Sequence, residues 1–458
     1  MRKASASSGD RNSGKDKRAK AGPPVIDPYL PGVGNFGYRV SRYELELDYK
    51  VAINRLAGTA TLTAVTLASL KSFSLDLSAA LTVSRVTVNG KRPAGFRHTA
   101  DKLNVTLPAA LPPGAAMTVV IRYSGSPKPL KTLWGEVGFE ELTEGVLVAG
   151  QPNGASSWFP CDDHPSAKAS YRIQISVESP YLVLANGELV SKRVRAGQTT
   201  WTYELHEPTS TYLVTLQIGM YELVRMSKSP VPMQAVLPAR LRRNLDVDFG
   251  RQPQMMKLFT KLFGPYPLSS GYTVVITDDT LEIPLEAQGI SIFGANHCDG
   301  SQDSERLIAH ELAHQWFGNS VTVRHWRDIW LHEGFACYAE WLWSEHGGGL
   351  SAADLARRYY RKLSDAPADL LLADPGPKDM FDDRVYKRGA LTLHVLRNTI
   401  GDEKFFALLQ DWTTRYRHST AVTDDFTGLA AKYSSASLHW LWDAWLFSRP
   451  VPELEFGP

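Results

Sequence analysis

Two histidines four residues apart, in His310-Glu311-Leu312-Ala313-His314, are followed after eighteen intervening residues by Glu333. No other feature constrains the fold of this chain as tightly. Residues four apart stand one turn above each other on a helix, so His310 and His314 can aim ring nitrogens at one point. Glu311 lies about 100° further round the helix, where it flanks that point without meeting it. Two imidazoles and one carboxylate, with a fourth position left for water, form the ligand set of a working zinc rather than a closed structural one. The third ligand must come from elsewhere, and Glu333 is the best candidate. Residues 328–336 read as a second helix, and a turn after Gly318 would bring it back alongside the first. Leu307, Ile308, Leu312 and Trp316 mark the first helix as buried rather than solvated. Glu311 is then placed to take a proton from water at the metal. One zinc ion per chain is expected.

Composition narrows the class. A chain of 458 residues should hold two or three domains, and 43% hydrophobic content is ample for packed cores. The formal net charge of +2 argues against nucleic-acid binding driven by charge. Residues 1–24 are rich in Ser, Gly and Lys, include Arg2, Lys3, Arg11, Lys15, Lys17, Arg18 and Lys20, and lack apolar periodicity, so a disordered basic tail is expected. No apolar stretch follows that basic start, as a signal peptide requires, and no run approaches the length of a membrane span. Cys161, Cys298 and Cys337 form no paired framework, which suits a reducing, cytoplasmic setting. Cys337 is expected to be a small buried hydrophobe, because the ligand set is complete without it.

Residues 25–225 read as an N-terminal β-domain. Residues 43–51 alternate with period two, Asn89-Gly90 marks a tight turn, and residues 171–177 and 212–216 read as further strands. The pattern changes near the Pro-rich segment 227–232. After it come a helix at 251–263, a strand at 272–276, the two metal helices and a helical tail from 351 to 446. Gly347-Gly348-Gly349 would stop the second metal helix. The expected division is therefore a β-domain at 25–225 and an α-rich catalytic domain at 226–458.

These motifs resemble the gluzincin metallopeptidases, and more narrowly the aminopeptidase N family, which also contains the leukotriene-A hydrolases. His310 to Asn319 (HELAHQWFGN) and Trp330 to Ala336 (WLHEGFA) are similar to that family's zinc helices, and the resemblance runs from about residue 30 to 450. It implies an α+β architecture: a saddle-like antiparallel β-domain followed by a thermolysin-like, mostly α-helical catalytic domain. It also implies a short form without the family's large C-terminal helical domain. Leu285 to Gly289 falls where the family has Gly-x-Met-Glu-Asn, so Glu286 is implied to bind the free α-amino group of a peptide. Tyr386, in Val385-Tyr386-Lys387-Arg388-Gly389-Ala390, is implied to stabilise the oxyanion. Gln151, nine residues before Pro160, is implied to line the site from the β-domain, and Glu340 to hold a metal-bound histidine by its other nitrogen. Ile283, Leu285 and Ala287 depart from the motif's Gly, Met and Asn. His332 stands where the family commonly has asparagine and is a rival ligand that fits the spacing less well than Glu333. The implied activity is a zinc aminopeptidase acting on peptides with a free amino terminus. The rival readings are an epoxide hydrolase, an endopeptidase and an inactive zinc- or peptide-binding module.

Overall fold

The computed structural model describes residues 26–454; the basic tail expected at 1–24 lies outside them. The N-terminal part is built on a seven-stranded sheet. Its strand order is Glu188–Arg195, Gln198–Ser210, Lys168–Glu178, Tyr38–Lys50, Arg55–Thr66, Ala116–Gly125, Leu81–Val88. The alternation expected at 43–51 is present, since Tyr43, Leu45, Leu47 and Tyr49 are buried and their neighbours are not. The sheet is mixed rather than purely antiparallel. Tyr38–Lys50 and Lys168–Glu178 run parallel, with Tyr43 opposite Tyr171. The two strands are separated by well over a hundred residues that build other sheets, so no hairpin fixes their relative direction. A five-stranded and a three-stranded sheet complete this part. Asn89 and Gly90 both take positive φ (50° and 75°) in the expected tight turn, although pairing ends at the Val88–Lys91 bridge.

The segment 212–216 is not the strand its apolar pattern suggested. Thr211–Leu213 is a 3-10 turn, and the strand is Leu216–Gly219. Its residues are apolar because the segment is buried between the two halves of the molecule, where the Tyr212 hydroxyl donates to the Gly318 carbonyl at 3.5 Å.

A fourth sheet joins the halves. Its order is Tyr221–Ser227, Met233–Pro238, Tyr272–Ile276, Ile290–Phe293, Leu285–Ala287, with the three inner strands parallel. The division expected near 225 falls within its first strand. Side chains alternate between two cores. Ala235, Leu237, Val274 and Ile276 pack into the helical core, while Val236, Val275 and Ile292 pack into the β core. Burial on both faces is why these inner strands read as continuous apolar runs.

The helices are α1 (Arg242–Asp248), α2 (Gln252–Phe263), α3 (Glu305–Ala313), α4 (Trp330–Gly347), α5 (Ala352–Ser364), α6 (Asp383–Ile400), α7 (Asp402–Arg415), α8 (Thr423–Ala430) and α9 (His439–Trp445). All residues of α4 from Trp330 to Trp343 are buried, so it is a core helix with no solvent face over most of its length. It stops at Gly348, which takes φ of 89° where a side chain would be strained. Gly334 of α4 meets Gly389 of α6 so closely that a Cβ on Gly389 would stand 2.6 Å from the Gly334 Cα. That contact sets the spacing of the two helices. Among the described residues, no helix is long and apolar enough to cross a membrane.

Candidate metal centre and active site

His310 lies in the last turn of α3, and His314 caps its C-terminal end. Glu333 sits in the first turn of α4, where the helix dipole favours a carboxylate. Both His310 Nε2 and His314 Nε2 face the same oxygen, Glu333 Oε2, at 3.3 and 3.5 Å. A tetrahedral zinc with ligand bonds of 2.0–2.2 Å spaces its donor atoms about 3.3–3.5 Å apart. The fit to zinc therefore rests on the donor set and its spacing. The other nitrogen of each ring is held: His310 Nδ1 by Glu340 Oε1 at 2.8 Å, and His314 Nδ1 by the Phe317 carbonyl at 2.9 Å. Such contacts fix ring orientation and present Nε2 to the metal.

Electrostatics point the same way. Burial opposes charging His310, but its hydrogen bonds to the Glu333 and Glu340 carboxylates outweigh it and push it up to about 9. Burial likewise opposes His314, and the carboxylates of Glu286 and Glu333 raise it to about 10. The cluster of Glu286, Glu311 and Glu333 around two imidazoles thus favours positive charge at its centre. Glu311 is pushed up to about 7 by burial, against the pull of the two histidines. Its Oε2 is buried without a hydrogen-bond partner.

Glu286 lies on the edge strand Leu285–Ala287, where one of its oxygens shares a 4.8 Å cluster with ligand atoms of Glu311 and His314. Gln151 Nε2, from the N-terminal part, donates to Glu286 Oε1 at 2.7 Å. Polar residues of the first motif hold this strand. Gln315 Nε2 and Asn319 Nδ2 both donate to the Ala287 carbonyl, and Gln315 Oε1 accepts from the Gly289 amide. Tyr386, in the first turn of α6, lies nearly parallel to the His310 ring at 5.9 Å between centroids. Burial, then the charges of Glu333, Glu286 and Glu311, hold its hydroxyl protonated, well above the ordinary tyrosine range.

His332 is no ligand here. Its Nε2 accepts the Val323 amide at 2.8 Å, and burial drives it down to about 3. Cys337 is buried, as its neighbours suggested, with Lys387 Nζ 3.4 Å from its sulfur. Sequence reasoning missed Arg306. Its Nη1 donates to both Glu340 oxygens, at 3.1 and 3.0 Å, behind His310. The available signal was its position, one turn before His310 on the same helix face. It also missed Lys168, whose buried Nζ reaches across to the carbonyls of Asn319 and Ser320.

Comparison with known proteins places this arrangement. Residues 40–213 match the Peptidase M1 N-terminal domain, and residues 248–445 match the Peptidase family M1 domain. An M1 zinc metallopeptidase from Deinococcus radiodurans is 30% identical with a TM-score of 0.85, covering 94% of this chain and 99% of that one. A mutant two-domain M1 zinc metallopeptidase bound to L-arginine superposes with a TM-score of 0.86 at 30% identity, over 94% of this chain and 99% of that one. Human endoplasmic reticulum aminopeptidase 1 is 28% identical over 422 residues, 79% of this chain and 44% of its own length. Aminopeptidase M1-D of Oryza sativa subsp. japonica is 26% identical over 440 residues, 90% of this chain and 50% of its own. The chain thus spans about half the length of these two curated relatives.

Proposed function

The chain belongs to peptidase family M1, and on that premise we propose that it is a zinc-dependent aminopeptidase of the aminopeptidase N type, removing the amino-terminal residue from peptides. The observation that carries this reading is the place of Glu286. A buried carboxylate, steadied by Gln151, stands within 4.8 Å of ligand atoms of Glu311 and His314. A peptide's terminal ammonium held there would put its first carbonyl, and no other, beside the metal donors. The Deinococcus protein, described as bound to a Tyr-Ser-Ala substrate in mutant form, supports a peptide ligand for this fold.

Zinc held by His310, His314 and Glu333 would supply a Lewis acid and water acidified toward pKa ~7. The remaining work belongs to the chain. Glu311 Oε2, unpartnered, takes a proton from the attacking water and returns it to the leaving amine. The protonated Tyr386 hydroxyl donates a hydrogen bond to the oxyanion. Glu286 and Gln151 bind the amino terminus, so cleavage falls one residue in. Glu340 keeps His310 turned toward the metal.

The test is a panel of aminoacyl fluorogenic amides, free and N-acetylated, with and without a zinc chelator. Chelator-sensitive release from free amines alone is expected. Equal release from acetylated substrates would make the enzyme an endopeptidase, and no release from a zinc-loaded protein would overturn the peptidase reading.

A further inference from the structure

Far from Glu333 in the chain, a second group of metal-binding side chains comes together from three separate segments. Asp27 precedes the first strand, His164 lies in the loop before strand Lys168–Glu178, and His325 stands five residues before α4. One ligand atom from each lies within 4.8 Å of the others. Asp27 and His164 are buried, and the His325 side chain is 12% exposed.

The carboxylate is engaged by backbone, while one imidazole nitrogen beside it is not engaged. Asp27 accepts two backbone amides, Tyr29 N at 2.8 Å and Trp326 N at 2.7 Å. His325 Nδ1 stands 4.0 Å from Asp27 Oδ2. That distance is too long for a hydrogen bond, and His325 Nδ1 is buried without any partner. His164 Nδ1 is 2.8 Å from Ser166 Oγ and accepts the Ser166 amide at 3.2 Å, contacts that hold the ring in place.

The first centre serves as an internal ruler. There the donor separations are 3.3 and 3.5 Å; here all lie within 4.8 Å, and the His325–Asp27 separation is 4.0 Å. Closing it to zinc's spacing takes about half an ångström, shared between two side chains.

We propose that Asp27, His164 and His325 form a second cation site, taking a divalent transition metal with zinc foremost, that clasps the N-terminal segment and the β-domain to the entry of α4. Two imidazoles and a carboxylate suit zinc or cobalt and are poor ligands for calcium or magnesium. The clasp has a clear mechanical target, because Glu333 follows His325 by eight residues. The N-terminal segment already touches the helical part: the Trp326 amide donates to Asp27, and the Tyr29 hydroxyl donates to Asp374 and accepts the Gly376 amide.

The experiment counts metal. The full chain is stripped with a chelator, reloaded with Zn²⁺, freed of excess, and measured by inductively coupled plasma mass spectrometry. The native chain is expected to hold two ions, His325→Ala and Glu333→Ala one each, and the double variant none. If His325→Ala does not fold, Co²⁺ added to metal-free Glu333→Ala provides the second measurement. It should bind once, give a d–d absorption band and raise the urea midpoint. A native count of one with chelator-sensitive turnover overturns the clasp and leaves the peptidase reading standing. Two ions in a native chain that releases no free-amine substrate overturn the peptidase reading and leave the clasp standing.

Discussion

Glu311 and Glu286 crowd the same imidazole, yet their surroundings give them different work. One Glu286 oxygen is engaged by Gln151, whereas Glu311 Oε2 has no partner within the protein. Only Glu311 is therefore free to carry a proton at the reaction centre. Glu311→Gln keeps the shape and removes the basicity. Turnover of a free-amine substrate should fall by roughly 10²–10⁴-fold while bound zinc stays at the native amount; native turnover would sink the assignment of the base. Arg306 acts one step further back. It grips both oxygens of Glu340, and Glu340 grips His310 Nδ1. Arg306→Met leaves the ligands in place but frees Glu340 to rotate, so zinc affinity should weaken by roughly 10–100-fold. Competition with a chromophoric chelator measures this directly. An affinity equal to native would reduce Arg306 to a surface salt bridge.

Helices α4 and α6 meet where Gly334 and Gly389 leave no room for side chains. Glu333 is beside one glycine, and Tyr386 is one turn from the other, so the helix spacing sets the distance between the proposed third ligand and the proposed oxyanion donor. In Gly389→Ala the added carbon meets backbone, which cannot swing aside. Overpacking of this kind costs ~1–3 kcal/mol, against a gain of ~1 kcal/mol from better helix propensity. A lower urea midpoint is expected. The larger effect should be on turnover, about 100-fold, because a shift near 1 Å at a reacting group has that consequence. Unchanged turnover would show that the contact is structural only. Much at this scale was legible beforehand. The spacing of His310, His314 and Glu333 announced two packed helices, and Gly347-Gly348-Gly349 marked where the second ends. Two things were not legible. Residues 212–216 carry an apolar pattern that burial between two cores produces as readily as a strand does. The Arg306 contact of Glu340 and the Glu286 contact of Gln151 span 34 and 135 residues, which no local pattern encodes.

Taken as a whole molecule, the protein has buried titrating groups that pull stability in opposite directions with pH. His394, on α6, is neutral and buried. Its ring meets the Tyr338 hydroxyl and Asn398, and burial, then Arg397, lower it to about 4 against the pull of Glu345 and Asp402. The unfolded chain binds a proton there below pH ~6.5 that the folded chain refuses. This contribution is intact above that pH and is lost as pH falls toward 4. Asp162, in the β-domain, behaves inversely. Burial, then the charge of Asp76, raise it to about 7, against hydrogen bonds from Asn35 and the charge of Lys102. The folded chain keeps a proton that the unfolded chain releases above pH ~3.9, so its contribution is present at low pH and is lost as pH rises through 7. Between pH 7 and 5 each group alone is worth about 2 kcal/mol, with opposite sign. His394→Asn should therefore lose less stability than the native protein on acidification from 7 to 5, and Asp162→Asn should lose more. Urea midpoints at the two pH values measure both. Metal release on acidification is common to all three proteins and cancels in the differences. Shifts of equal sign in the two variants would mean that one of these side chains is solvated and titrating normally.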